Sequence, residues 1–162
     1  TRKFLGLQVL GSGAVDKITD IAVTAISLNA SVDQLENLDF AYAPPFSTAI
    51  HPFVHTINVL INKIQGKLDS FTPAEFQEGR AEDYRILDVS RTPAIGGAEF
   101  INLADVEEEL PGHDKEENLL LVCTKGRRAY LLQNRLSCLG YANTKVLEGG
   151  TFFNGTELME EE

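Results

Sequence analysis

Four consecutive apolar residues, Leu119-Leu120-Leu121-Val122, stop abruptly at Cys123. A short apolar run with no polar alternation reads as a buried strand of a parallel sheet. Thr124-Lys125-Gly126-Arg127-Arg128 follow, and Ala129-Tyr130-Leu131-Leu132 begins a helical pattern that Gly140 stops. The spacing predicts a six-residue loop, 123–128. A thiol therefore sits at the carboxyl end of a strand, on a turn into a helix N-terminus. Backbone N–H groups there lack intrahelical partners, and the helix dipole adds positive potential. Such a turn is a ready anion cradle, and Lys125, Arg127 and Arg128 add three cations. An inert buried thiol is the plain alternative. The cations, the glycine and the strand–loop–helix context favour a reactive thiolate instead.

The basic loop is a local exception in an acidic chain. The 162 residues carry 24 acidic and 14 basic side chains, a net charge of −10. That balance argues against nucleic acid and against an anionic membrane surface. No apolar run approaches the roughly 20 residues of a membrane span, and no signal peptide is visible. The two cysteines, Cys123 and Cys138, imply no disulfide framework and fit a cytoplasmic setting. The chain starts at Thr1 in mid-pattern, and a fragment of something larger is expected.

Upstream, Lys3 to Leu10 reads as a strand, and Gly11-Ser12-Gly13 lacks the third glycine of a dinucleotide fingerprint. Ile18, Ile21, Ala22, Ala25, Ile26 and Leu28 recur at helical spacing, with Asn29 as a stop. Ser31-Val32-Asp33-Gln34 is a capping box that opens a second short helix. Pro44-Pro45 predicts an extended path. His51-Pro52-Phe53 starts a third helix with a stripe of Val54, Ile57, Leu60, Ile61 and Ile64, and Gly66 ends it. His51 and His55 are four apart, but no third ligand accompanies them, and helix-start and surface roles fit better. No metal site is expected. Tyr42, between small residues, reads as a half-buried packing residue.

Residues 67–70 are polar and short and read as a linker. Thr72-Pro73-Ala74-Glu75 is a helix start. Short strands are expected at Arg85–Val89, Ala98–Leu103, Leu119–Val122 and Lys145–Leu147. An acidic helix is expected from Ala104 to Leu110, and a helix from Ala129 to Leu139. The alternation predicts a small α/β domain with a mostly parallel sheet flanked by helices. Sites in such sheets lie at the carboxyl ends of strands, where both Cys123 and Asp88 fall. Asp88 is expected to hold its turn through backbone hydrogen bonds. Cys138 is expected in the core, with a resolving thiol as the alternative. The acidic tail, 157–162, is expected to be solvated.

Two stretches carry family resemblances. Cys123-Thr-Lys-Gly-Arg-Arg128 resembles the Cys-x-x-Gly-x-Arg loop of rhodanese domains, one residue tighter than the Cys-x5-Arg loop of tyrosine and Cdc25-type phosphatases. With Ile86-Leu-Asp-Val89, Gly97-Ala98 and Leu147-Glu-Gly-Gly150, the resemblance covers a rhodanese-like domain at 71–156. It implies a sulfurtransferase that carries sulfane sulfur as a Cys123 persulfide. Thr124, Lys125, Gly126, Arg127 and Arg128 would bind the anionic substrate, with Asp88 in support. The family usually has Arg and an acidic residue after Asp-Val, then Gly-His-Ile-Pro-Gly-Ala. Here Ser90 to Gly97 is shorter and lacks Glu and His.

Phe4-Leu-Gly-Leu-Gln-Val-Leu-Gly11, Asp16-Lys-Ile-Thr-Asp-Ile-Ala22 and above all Asp39-Phe-Ala-Tyr-Ala-Pro-Pro-Phe-Ser47 resemble the C-terminal dimerisation domain of pyridine nucleotide–disulfide oxidoreductases. The branch is that of coenzyme A disulfide reductases and NADH oxidase-like enzymes, one subgroup of which ends in a rhodanese domain. Residues 1–66 would then be a partial α+β dimerisation domain, and the chain a homodimer. FAD, NAD(P)H and CoA are implied for the full-length family, on domains missing here, with no cofactor in this fragment. Tyr42 would be a trans-acting CoA-site residue. A sulfane-sulfur donor and a thiol acceptor are the implied partners. The alternative is a non-catalytic dimerisation and binding fragment with a degenerate rhodanese module.

Overall fold

The computed structural model describes residues 2–158, with side chains described through residue 155. The chain divides into two compact units, Thr1–Gln65 and Gly66–Glu162. The acidic side chains expected at 157–162 lie outside the described residues.

The first unit carries α1 (Val15–Ser27), α2 (Val32–Glu36) and α3 (Pro52–Ile64). Asn29, at φ 54°, turns the chain out of α1, a left-handed conformation that Asn tolerates. Both arms of the Ser31–Gln34 capping box form. His51 caps α3, its Nδ1 accepting from the Phe53 N–H at 3.2 Å, with Pro52 at the first helical position. Phe4, Ala22, Ala25, Val32, Leu35, Phe53, Ile57 and Ile61 form the core.

Three expectations fail in this unit. Lys3–Leu10 is not a strand. Only a single antiparallel bridge, Lys3 to Ser31, forms, and Phe4 is buried while Leu5 and Leu10 stand in solvent. A strand needs a ladder, and among the described residues of this unit none offers one, so its regular elements are helices rather than the expected α+β mixture. Pro44-Pro45 makes a turn rather than an extended path: the bond between them is cis, and Phe46 N–H and Ser47 N–H both donate to Ala43 O. Tyr42 is 68% exposed rather than half-buried.

The second unit is built on a five-stranded, all-parallel sheet in the order β1-β5-β4-β2-β3. The strands are β1 (Ser70–Phe71), β2 (Arg85–Asp88), β3 (Glu99–Phe100), β4 (Leu119–Val122) and β5 (Thr144–Leu147). The helices are α4 (Pro73–Gln77), α5 (Arg127–Cys138) and α6 (Gly150–Leu158). The apolar run is the central strand, and all four of its residues are fully buried. Its side chains alternate between two cores, as strand geometry requires. Leu119, Leu121 and Cys123 join Ala129, Leu132 and Leu136 of α5. Leu120 and Val122 join Phe71, Ile95 and Leu147 on the other face. The thiol therefore lies on the α5 face.

Residues 67–70 do not behave as a free linker. Ser70 is in β1, Asp69 O accepts from Val146 N–H and Gln133 Nε2, and Leu68 packs on the core. A two-residue strand leaves no periodic signal to read. The helix expected from Ala104 to Leu110 is a single 3-10 turn, Leu103–Asp105. Arg135 Nη1 donates to Leu103 O and Val106 O, claiming carbonyls that a helix would have used, and Tyr141 Oη holds both backbone groups of Leu110. The strand expected over 98–103 shrinks to β3 at the sheet edge.

At the amino ends of the strands the His113 imidazole is buried between two carboxylates. Nδ1 lies 2.8 Å from Glu117 and Nε2 lies 3.3 Å from Glu99, and Arg85 joins both acids. The hydrogen bond from His113, its charge and that of Arg85 hold the Glu117 carboxyl below its ordinary range, against the opposing effect of burial. A carboxyl lowered by folding adds stability above its unfolded pKa, near 4.3, and loses it as pH falls through the folded value. Urea midpoints should therefore separate wild type from Glu117→Gln at pH 6 to 7 and converge as the pH falls below about 4. A gap that stays constant to pH 3 would show that Glu117 contributes no charge-linked stability.

Candidate active site

The loop after β4 is four residues long, not six. Gly126, at φ 84°, is the N-cap of α5, and the helix begins at Arg127. A left-handed turn at that point admits glycine without strain. Gly126 has no side chain to cap the helix, so the first-turn N–H groups gain no side-chain acceptor from it. Arg127 and Arg128 thus rise from the first turn of a helix instead of from a loop.

Two other elements fix the loop. Thr151 N–H and Phe152 N–H, at the start of α6, donate to Cys123 O (3.1 Å) and Thr124 O (3.0 Å). In a trans peptide the carbonyl and the following N–H point opposite ways. The N–H groups of Thr124 and Lys125 therefore face away from α6. Such close approach needs Gly150: a Cβ built there would stand 1.7 Å from Cys123 O.

On the neighbouring strand, Asp88 is buried at 1% exposure and organises the segment after β2. Its Oδ1 accepts from Ser90 N–H, and its Oδ2 accepts from Ala94 and Ile95 N–H. Its role is the backbone-holding one expected. Arg128 Nε donates to Val89 O at 2.8 Å, so the cation at the helix start also ties down the β2 end.

These elements enclose an open cleft of about 660 Å3. Cys123, Thr124, Lys125, Arg127 and Arg128 line it from one side of the sequence, and Ser90, Arg91, Thr92 and Ala94 from the other. Three arginines and a lysine therefore meet in one cleft, and none of its lining residues is acidic. Cys123 is only 3% exposed and is one of the residues that line the cleft. Lys125 Nζ lies 5.6 Å over the exposed ring of Phe152. The arrangement sets Cys123 among guanidinium groups at the N-terminus of α5.

In the resembled family the segment matching Ser90–Gly97 helps line the pocket, and here Ser90, Arg91, Thr92 and Ala94 do line the cleft, although none of them is among the expected site residues. Their departure from the family string was visible, yet their place beside the thiol depends on Asp88 folding the segment back. Cys138 is exposed, not core. The buried stripe of α5 is Ala129, Leu132, Gln133 and Leu136, and residue 138 falls off it. Its place at the far end of α5, about 16 Å of helix from the loop, also removes it as a resolving thiol, since a disulfide needs Cα atoms within about 7 Å. Among the described residues no His, Cys, Asp and Glu group could hold a metal, and His51 and His55 belong to α3 as a cap and a surface residue.

The fold is thus an α/β domain with a parallel sheet, a cysteine at the end of its central strand and a cationic cleft around that cysteine. The family model for the rhodanese-like domain matches residues 63–152, more than half of the chain. The chain belongs to the rhodanese-like domain family.

Among solved structures, the NAD-dependent persulfide reductase of A. fulgidus is 33% identical, with a TM-score of 0.74 over 87% of this chain and 26% of that one. The reduced CoADR-RHD of Bacillus anthracis is 28% identical, with a TM-score of 0.79 over 89% of this chain and 27% of that one. This chain thus spans about a quarter of those two proteins. No curated protein matches it. No helix among the described residues is long and apolar enough to cross a membrane.

Proposed function

We propose that this chain is a sulfurtransferase-type module that carries sulfane sulfur as a persulfide on Cys123. The observation that carries the reading is a nearly buried cysteine lining a cleft whose charged lining residues are all cationic. The Cys123 thiolate attacks the outer sulfur of an anionic donor such as thiosulfate, a polysulfide or a persulfide. A bond forms from Sγ to that sulfur, and the bond to the donor breaks. The electron pair leaves with the donor as sulfite, a polysulfide one sulfur shorter, or a thiolate. The loop N–H groups and the cations hold the anionic sulfur, as an oxyanion hole holds developing charge. A thiol acceptor then attacks the outer sulfur and restores the Cys123 thiolate, so the cycle has no net redox change within the module.

Similarity to an NAD-dependent persulfide reductase and a CoADR-RHD supports placing the module in a persulfide- or disulfide-reducing enzyme; FAD, NAD(P)H and a cytoplasmic setting are further parts of this proposal. In that setting residues 1–66 serve dimerisation, and exposed Tyr42 reaches the partner subunit's CoA site. The described residues do not themselves fit a dinucleotide: Gly11-Ser12-Gly13 follows no strand and has no third glycine. Exposed Leu5, Leu10 and Phe46 agree with a homodimer, and light scattering at micromolar concentration should give twice the chain mass. A monomer mass would count against that part of the reading.

Intact-mass analysis after incubation with thiosulfate, and separately with polysulfide, tests the central claim. A reductant-labile gain of one sulfur, mapped to Cys123, is expected. No adduct from either donor would transfer the weight to a non-catalytic binding module.

A further inference from the structure

The segment after β2 holds a polar group that the fold leaves unused. Ser90 is 2% exposed, and among the described residues its hydroxyl has no hydrogen-bond partner, Cys123 included. An orphaned buried hydroxyl is disfavoured, because its lost hydration is not replaced. The backbone on either side leaves Ser90 little freedom to escape. Its own N–H donates to Asp88 Oδ1, Val89 N–H donates to Val122 O at 2.7 Å, and Val89 O is held by Arg128. These bonds carry the β2–β4 register one pair further, to Val89 beside Cys123, and Ser90 follows at the bend where the segment leaves the sheet. Adjacent strands lie about 4.8 Å apart. Ser90 and Cys123 line the same cleft.

We infer that Ser90 is a sulfur-contacting residue: its hydroxyl donates to the outer sulfur once that sulfur is bonded to Cys123. The inference rests on the persulfide reading above. A sulfur–sulfur bond of about 2.05 Å extends Cys123 into the cleft, and the new terminal atom carries the negative charge. A hydroxyl that lacks a partner in the free protein gains one in the loaded protein, and the loaded form is favoured. Arg91, one residue on, lines the cleft but is exposed, and serves the donor's anionic body. The buried neutral donor contacts the transferred atom.

The test compares wild type, Ser90→Ala and Ser90→Thr. Each is equilibrated with thiosulfate and sulfite at a fixed ratio, and the persulfide-to-thiol ratio at Cys123 is read by intact mass. Hydrogen bonds to charged groups are the stronger class. The ratio is expected to fall about tenfold or more in Ser90→Ala and to stay within about threefold of wild type in Ser90→Thr, which keeps the hydroxyl. Melting separates this role from a structural one. Removing an orphaned hydroxyl should leave the midpoint of Ser90→Ala at or above that of wild type. An unchanged ratio in Ser90→Ala overturns the contact and leaves the persulfide reading standing. A lowered midpoint also overturns it, because the hydroxyl would then have a partner in the free protein. A wild-type protein that takes no sulfur overturns the persulfide reading, and the Ser90 contact with it.

Discussion

Cys123→Ser should fold and transfer no sulfur. Sulfur uptake from thiosulfate or polysulfide should fall by at least about a thousandfold, because a serine hydroxyl is barely ionised at neutral pH and lacks the thiol's intrinsic nucleophilicity. The fold should survive. Serine is slightly smaller than cysteine and would sit at a position 3% exposed, facing a polar cleft, so the cost is about 1–2 kcal/mol for the buried hydroxyl. The measurement is the sulfur adduct by intact mass, with transfer to an added thiol assayed alongside. Persistent transfer in this variant would sink the assignment of Cys123, whatever the melting curve shows. A second carrier among the described residues is hard to find, since Cys138 is exposed at the opposite end of α5.

The next largest effect should come from a residue with no reactive group. Gly150→Ala places a methyl 1.7 Å from Cys123 O and 2.9 Å from the carbonyl carbons of Cys123 and Thr124. All three are backbone atoms, so no side chain can swing away. The position also has φ 53°, a conformation that costs an L-residue roughly 1–2 kcal/mol. Relief requires α6 to withdraw, and its bonds from Thr151 and Phe152 to the loop carbonyls are then lost, at about 1 kcal/mol each. A loss of about 3 kcal/mol or more is expected, which for a domain of this size lowers the melting midpoint by roughly 12 °C or more. Sulfur uptake should fall with it, because the loop N–H groups lose their aim. Gly155→Ala is the matched control: nothing lies within 4 Å of its Cβ position, and the change should be neutral or mildly stabilising. A Gly150→Ala protein melting within about 2 °C of wild type would show that α6 does not brace the loop.

How far the sequence could be read follows from what each element depends on. Long periodic segments were legible: α1, α3, α5 and the apolar β4 carry their own burial pattern, and the Ser31 and Thr72 capping boxes fix their helix starts from within. The cysteine loop was legible because its parts are contiguous. The elements that failed depend on distant partners. Lys3–Leu10 has strand composition, but only one bridge is available to it. Residues 104–110 have helical spacing, but Arg135 takes their carbonyls from about 30 positions away. Ser70 and Phe71 become a strand only because β5 lies beside them. In the site, Ser90 was unreadable for the same reason. Its significance is a missing partner in three dimensions, which no spacing encodes.

The pairing of β1 with β5 has a consequence for synthesis. Ser70 finds Val146 and Phe71 finds Leu147, so the sheet joins its first strand to its last. The amino acids that hold the cysteine loop, Gly150 to Phe152, are made later still. A chain emerging from the ribosome at about 5–20 residues per second therefore exposes Cys123 for a second or more before the bracing segment emerges. Closing so distant a contact is entropically slow, and the nascent thiol meets the surrounding oxidants and electrophiles unshielded. Cys123 is thus among the last parts of the domain to be protected by its own fold.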